Sequence, residues 1–240
     1  MPIQIWHASA SKQQAGQLET ACRQWLTDEE QQRAARFRQP TSHNQFVVGR
    51  GMVRQLLGRR LGVDPRALGF QQSAHGKPHL DGSTVVEFNV AHTSGLVVVA
   101  IGQDRRLGVD VEGLDRRIDL DIAKRYFAAS EVRWLAAQPA AEQTQAFLRI
   151  WTLKESFIKA IGTGLTMPLD QFAFHDLHSP HPQLSFTDER LPSAKKWGPA
   201  EQWQSHIFQP AAGYIAALTV HADQRPQITT QPWSSFAPRT

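Results

Sequence analysis

The chain has 240 residues, 41% hydrophobic and 20% charged, which is ordinary for a soluble globular protein of one large domain or two small ones. Its longest apolar run, residues 96–101, falls far short of the ~20 residues a membrane-spanning helix needs, and no basic-then-apolar leader is visible, so neither membrane insertion nor secretion is expected. Cys22 is the single cysteine, which excludes an internal disulfide and fits a reducing cytoplasm, while a net charge of +4 favours an anionic partner: nucleic acid, a phosphorylated small molecule or an acidic protein.

In chain order, residues 3–7 read as a short strand. Thr27-Asp28-Glu29-Glu30 is a capping-box helix start, and that helix runs through Arg36. A second helix is predicted from Asn44 to Leu61, with Phe46, Val47, Val53, Leu56, Leu57 and Leu61 on its apolar stripe. Arg50, Arg54, Arg59 and Arg60 lie off that stripe, and Gly62 is a natural stop. The pattern then becomes strand-like. Gly76-Lys77-Pro78 reads as a turn and Val85–Val90 as a strand, and Leu96–Ile101 is expected to fold through a polar turn onto Leu107–Glu112 as a hairpin.

Helices are predicted over 120–127 and 130–137, followed by a long one over 142–161 closed by Gly162 and Gly164. Strands follow near 172–174, 184–186, 203–208 and 214–220. The segment from Asp223, rich in Pro, Gln, Thr and Ser, is expected to be peripheral. No Gly/Ser linker divides the chain. The expected organisation is an N-terminal unit 1–103, a C-terminal unit 104–222 and a tail 223–240, each unit a helix with an antiparallel sheet.

Two segments carry chemistry. In Leu107–Glu112, period-two alternation puts Gly108, Asp110 and Glu112 on one face, with the acids a rise of roughly 6.5 Å apart. Gly108 would leave open space beside them. In Trp151–Gly164, Glu155 and Lys159 sit one helical turn apart among apolar residues. Three carboxylates without Cys or His suit Mg²⁺ or Mn²⁺ serving a phosphate substrate, not structural zinc. Taken singly, Asp-x-Glu at a strand end is ordinarily a solvated edge. Glu155 and Lys159 alone would be a surface ion pair worth ~0.3–0.5 kcal/mol.

Taken together, GKP at 76–78, FNVAHT at 88–93, GVDVE at 108–112, AKRYF at 123–127, WTLKESFIKAIGTGL from Trp151 and MPLDQF to Phe172 resemble the 4′-phosphopantetheinyl transferases, of the larger type that activates surfactin synthetase. The resemblance implies an α+β fold of two similar subdomains packed as a pseudo-dimer, with coenzyme A in the cleft between them. It implies transfer of the phosphopantetheine arm to a serine of an apo acyl or peptidyl carrier protein, releasing adenosine 3′,5′-bisphosphate. Motif by motif, Asp110, Glu112 and Glu155 would hold Mg²⁺, Glu155 would also be the general base, and Lys159 would meet the leaving phosphate.

The resemblance further places Lys77, His92, Thr93 and Arg50 on coenzyme A phosphates. Arg33 would lie near the adenine or on a solvated face, and Lys154 would be either a phosphate contact or solvated. Ala91 stands where the family often has serine, and Glu30 and Arg33 where it has lysines around the adenine. The enzyme would be a cytoplasmic monomer. A non-catalytic protein of the same fold that binds coenzyme A or a carrier protein is the alternative, and a nucleic-acid-binding domain is a third reading.

Other patterns fall short. Gly49-Arg50-Gly51 with Arg54 lacks the third glycine and the preceding strand of a dinucleotide fingerprint, and no Walker A sequence occurs. His175, His178 and His181 lie in a Pro-interrupted loop, Cys22 has no activating partner, and the seven tryptophans form no basic–aromatic stripe.

Overall fold

A helix-and-sheet unit is built twice along the chain, in a computed structural model that describes residues 2–82, 85–188 and 192–234. The first stretch runs β1 (Ile3–Ser9), α1 (Gln17–Arg23), α2 (Asp28–Ala35), α3 (Pro40–Leu61), β2 (Phe70–Gln72), β3 (Pro78–Leu80), β4 (Val86–Thr93) and β5 (Leu96–Gln103). The second runs β6 (Leu107–Gly113), α4 (Ile122–Tyr126), α5 (Ala129–Ala136), α6 (Gln143–Ile161), β7 (Phe172–His175), β8 (Gln183–Phe186), α7 (Pro192–Trp197), β9 (Trp203–Phe208) and β10 (Tyr214–His221). It closes with β11 (Ile228–Pro232). One sheet has the order β11-β1-β5-β4, the other β6-β10-β9-β8-β7. The class is α+β.

Local chemistry explains the helix ends. Thr27 caps α2 by accepting from the Glu30 backbone N–H at 3.4 Å, while the Glu30 carboxylate accepts from Thr27 N–H at 3.0 Å. α3 begins at Pro40 rather than Asn44, because proline suits the first helical position, where no N–H is needed. Gly62 and Gly162 close the two long helices with φ of 70° and 71°, the left-handed conformation that glycine adopts without penalty.

Three apolar clusters build the layers. α3 covers the outer face of the first sheet through Met52, Val53, Leu57, Val97 and Val99, and α1 packs on α3. α5 and α6 cover the outer face of the second through Leu135, Phe157, Phe172 and Trp203. Between the sheets, Ile3, Ile5, Val98 and Ala100 meet Leu107, Val109, Val111 and Leu218. β5 and β6 are therefore buried on both faces.

That layering corrects two expectations. β5 and β6 form no hairpin. β5 already has β1 on one edge and β4 on the other, so residues 104–106 carry the chain across to the second sheet, where β6 pairs with β10. Residues 223–234 are not peripheral either, while 235–240 of the expected tail lie outside the described residues. β11 adds in parallel to β1, and Trp233 is buried in the first core, its backbone N–H donating to His7 O at 2.8 Å. An edge strand is held by backbone hydrogen bonds, so its polar composition concealed it. Among the described residues, no helix is long and apolar enough to cross a membrane.

Candidate functional site

β6 and α6 are pressed together, and this contact builds the site. Leu107, Val109 and Val111 point into the inter-sheet core, so Gly108, Asp110 and Glu112 lie on the face crossed by α6. The glycine leaves no open space: a Cβ there would lie 2.2 Å from Ser156 O and 2.3 Å from Ala160 N. Gly108 is what lets the helix backbone reach the strand, and that approach brings Glu155 and Lys159 to the strand's acids.

Lys159 Nζ donates to Asp110 Oδ1 at 2.5 Å, while Asp110 Oδ2 is buried with no hydrogen-bond partner. Glu112, also buried, accepts from Arg116 Nη1 at 2.5 Å. Burial pushes the Asp110 pKa up, against the pull of Lys159. The Glu112 pKa rises through burial and then the neighbouring Asp110 charge. Glu155 is pushed up to about 7 by burial first, then by Asp110, with Glu112 adding to it and Lys159 opposing. The three acids thus converge closely enough to resist one another's ionisation.

The N-terminal half faces α6 across a cleft of about 260 Å³, lined by Lys77, Asn89 and Val90 on one side and Glu155, Ile158 and Lys159 on the other. Lys77, on the turn between β2 and β3, donates through Nζ to Leu107 O at 2.9 Å and Ala160 O at 3.1 Å. Its ammonium therefore ties the turn to both β6 and α6, and desolvation lowers its pKa. His92 lies on β4, with its pKa held down by desolvation first and by the Lys159 ammonium second. Half-buried Thr93 accepts through its backbone carbonyl from Gln45 Nε2 at 2.6 Å.

The arginines of α3 are further from open solvent than their sequence positions suggest. Arg54 is buried, with Nε and Nη2 on Glu30 at 2.7 and 2.9 Å and Nη1 on Pro65 O and Leu68 O. Arg50 Nε lies 3.2 Å from the same glutamate, and its guanidinium sits over Phe70. Arg33 lies over the Phe46 ring. Glu30 therefore neutralises the basic pair where the resemblance led one to expect lysines.

Lys154 requires a correction. It is neither a phosphate contact nor solvated: its side chain is 0% exposed, with Nζ 2.7 Å from Glu131 Oε2 and 2.7 Å from the carbonyls of Leu169 and Phe172. Burial lowers the lysine's pKa and raises that of the glutamate, while each favours the charged form of the other. Facing away from the cleft put it in the core between α5, α6 and β7, not in water. Two further residues escaped the sequence reading. Asn89, buried in β4, accepts from Val109 N–H at 2.9 Å and so ties the sheet edges together beside the cleft. Arg116 folds back on Glu112 through a turn closed by its own N–H to Gly113 O at 3.2 Å. The turn-forming stretch GLDRR after GVDVE was the available signal.

The donor set suits a hard divalent cation: three carboxylates on adjoining elements, one oxygen buried and unpaired, and one acid whose pKa is pushed up to about 7 by burial first and then by its acidic neighbours. Lys159 and Arg116 neutralise two of the acids. Among the described residues, no His, Cys, Asp or Glu trio is drawn together tightly enough to hold an ion as it stands.

Comparison with known proteins agrees across both halves. Residues 106–219 match the family model for the 4′-phosphopantetheinyl transferase superfamily, and residues 9–104 match that for the N-terminal part of a 4′-phosphopantetheinyl transferase. The chain is 37% identical over 145 residues to the 4′-phosphopantetheinyl transferase HetI of Nostoc sp., covering 58% of this chain and 61% of that one. It is 30% identical over 167 residues to a 4′-phosphopantetheinyl transferase of Bacillus subtilis, covering 70% and 74%. With the transferase Sfp of Bacillus subtilis strain 168 it shares 33% over 149 residues, covering 62% and 66%.

Proposed function

The chain belongs to the 4′-phosphopantetheinyl transferase family, and we propose that it moves the 4′-phosphopantetheine arm of coenzyme A onto a serine of an apo acyl or peptidyl carrier protein. The observation that carries this reading is the meeting of Asp110 and Glu112 on β6 with Glu155 and Lys159 on α6, the last two lining a cleft whose other wall bears Lys77.

In the reaction, the serine oxygen bonds to the phosphorus next to pantetheine. The bond from that phosphorus to the bridging oxygen breaks, and adenosine 3′,5′-bisphosphate leaves. Glu155 takes the serine proton as general base. Lys159 faces the charge that develops on the departing phosphate. Asp110, Glu112 and Glu155 would hold Mg²⁺, or Mn²⁺, which when bound neutralises pyrophosphate oxygens. His92, Thr93, Lys77 and Arg50 hold the phosphates of coenzyme A, with net charge +4 favouring both this anion and an acidic carrier. Cys22, buried and with its pKa pushed up to about 12 by burial first, is an inert thiol.

Mass spectrometry of a purified apo carrier protein incubated with coenzyme A and Mg²⁺ tests the reading. Gain of the phosphopantetheine mass with wild-type protein, and no gain with Glu155→Gln or Asp110→Ala, is the expected result. Absence of the gain across a panel of acyl and peptidyl carriers would leave a binding protein without turnover. Wild-type rates in either variant would remove the assigned roles.

A further inference from the structure

Arg116 reaches Glu112 from a loop and not from a helix. Its Nη1 lies 2.5 Å from Glu112 Oε1, yet its side chain is 52% exposed against 11% for the glutamate. The carboxylate is thus fixed by the strand, and the guanidinium is the partner free to swing into water. Lys159 differs: it is 29% exposed, carried on α6, and set against Asp110 from the helix side.

We propose that Arg116 is a place-holder on Glu112, neutralising that acid until a divalent cation arrives, and that it sets how tightly the cation binds. This rests on the reading of Asp110, Glu112 and Glu155 as metal ligands. Three acids gathered under one helix repel one another, and each neutralising contact lowers the strain of holding them together. An incoming cation must displace the guanidinium from Glu112, and a displaced Arg116 remains close enough to repel it. Removing the arginine removes both penalties. Because the pair is half-exposed, the effect is modest, about two- to five-fold in affinity. Arg117, next in sequence, carries the same charge on the same loop, so it separates a specific contact from the general field.

The test is Mn²⁺ titration of the full chain at pH 8, without coenzyme A, read from free Mn²⁺ by electron paramagnetic resonance. Arg116→Ala and Arg116→Gln are expected to bind Mn²⁺ about two- to five-fold more tightly than wild type, while Arg117→Ala binds as wild type does. Unchanged or weaker binding in both Arg116 variants overturns the inference, as does equal tightening by Arg117→Ala. Absence of saturable binding in wild type and variants alike brings down the metal assignment itself, and this inference with it. Far-UV circular dichroism on the same samples establishes that the variants are folded.

Discussion

Gly108→Ala tests the geometry on which the site depends. The added Cβ would meet Ser156 O at 2.2 Å, Ala160 N at 2.3 Å and the Lys159 carbonyl carbon at 2.7 Å, all backbone atoms that no rotamer change can move. Restoring ordinary contact distances requires strand and helix to part by about 1 Å. Overpacking of this kind costs typically 1–3 kcal/mol, and backbone on both sides puts this case at the upper end, about 3 kcal/mol. The displaced helix carries Glu155 and Lys159 away from Asp110 and Glu112. Misplacing catalytic groups by ~1 Å costs on the order of 10²-fold in rate. Urea denaturation and the carrier-protein transfer assay should therefore show both losses. Gly49→Ala is the control, because its Cβ would meet Val97 at 3.4 Å and Val90 at 3.5 Å, ordinary contact inside α3. That change should be neutral or stabilising by up to about 1 kcal/mol. A Gly108→Ala protein within ~0.5 kcal/mol of wild type and fully active would refute the argument that α6 rests directly on the strand.

Three other outcomes follow from the same contacts. Glu155 has a folded pKa of about 7 against an ordinary 4.5, so the folded state binds the extra proton between those values and stability falls as pH rises through that window. In metal-free buffer, Glu155→Gln should match wild type near pH 4.5 and exceed it at pH 8 by about 1–3 kcal/mol, measured by thermal melts; a constant offset across pH would contradict this. Lys154→Met leaves Glu131 buried without its cation and should cost about 3–5 kcal/mol in urea, with part of the loss recovered by adding Glu131→Gln. If the single and double variants are equally unstable, the pair is not what couples the two residues. Asn89→Ala strands the Val109 N–H and should cost about 1–3 kcal/mol, with faster amide exchange at Val109 by NMR; unchanged exchange would show the bond to be dispensable.

Much of the site was legible because its signals are short-range. The alternation in GVDVE put Asp110 and Glu112 on one face, and the spacing of Glu155 and Lys159 put both on one side of a helix. The capping box at Thr27 and the glycines at 62 and 162 marked helix ends through chemistry confined to a few residues. The errors came where two distant segments compete for one surface. Leu96–Ile101 and Leu107–Glu112 looked like hairpin partners, but the edges of β5 were already filled by β1 and β4. Lys154 looked free because its partner, Glu131, comes from another helix.

Residue spacing alone was enough for the helices α2 to α6, for most of the strands, for the family to which the motifs point and for the acids that carry charge, since each depends on spacing along one element. Three-dimensional packing was needed to show that Gly108 is a contact and not a space, that residues 228–232 complete the first sheet, and that Arg116 lies on Glu112. Those outcomes depend on which backbone arrives at a given surface, and no local pattern encodes what will be packed against it.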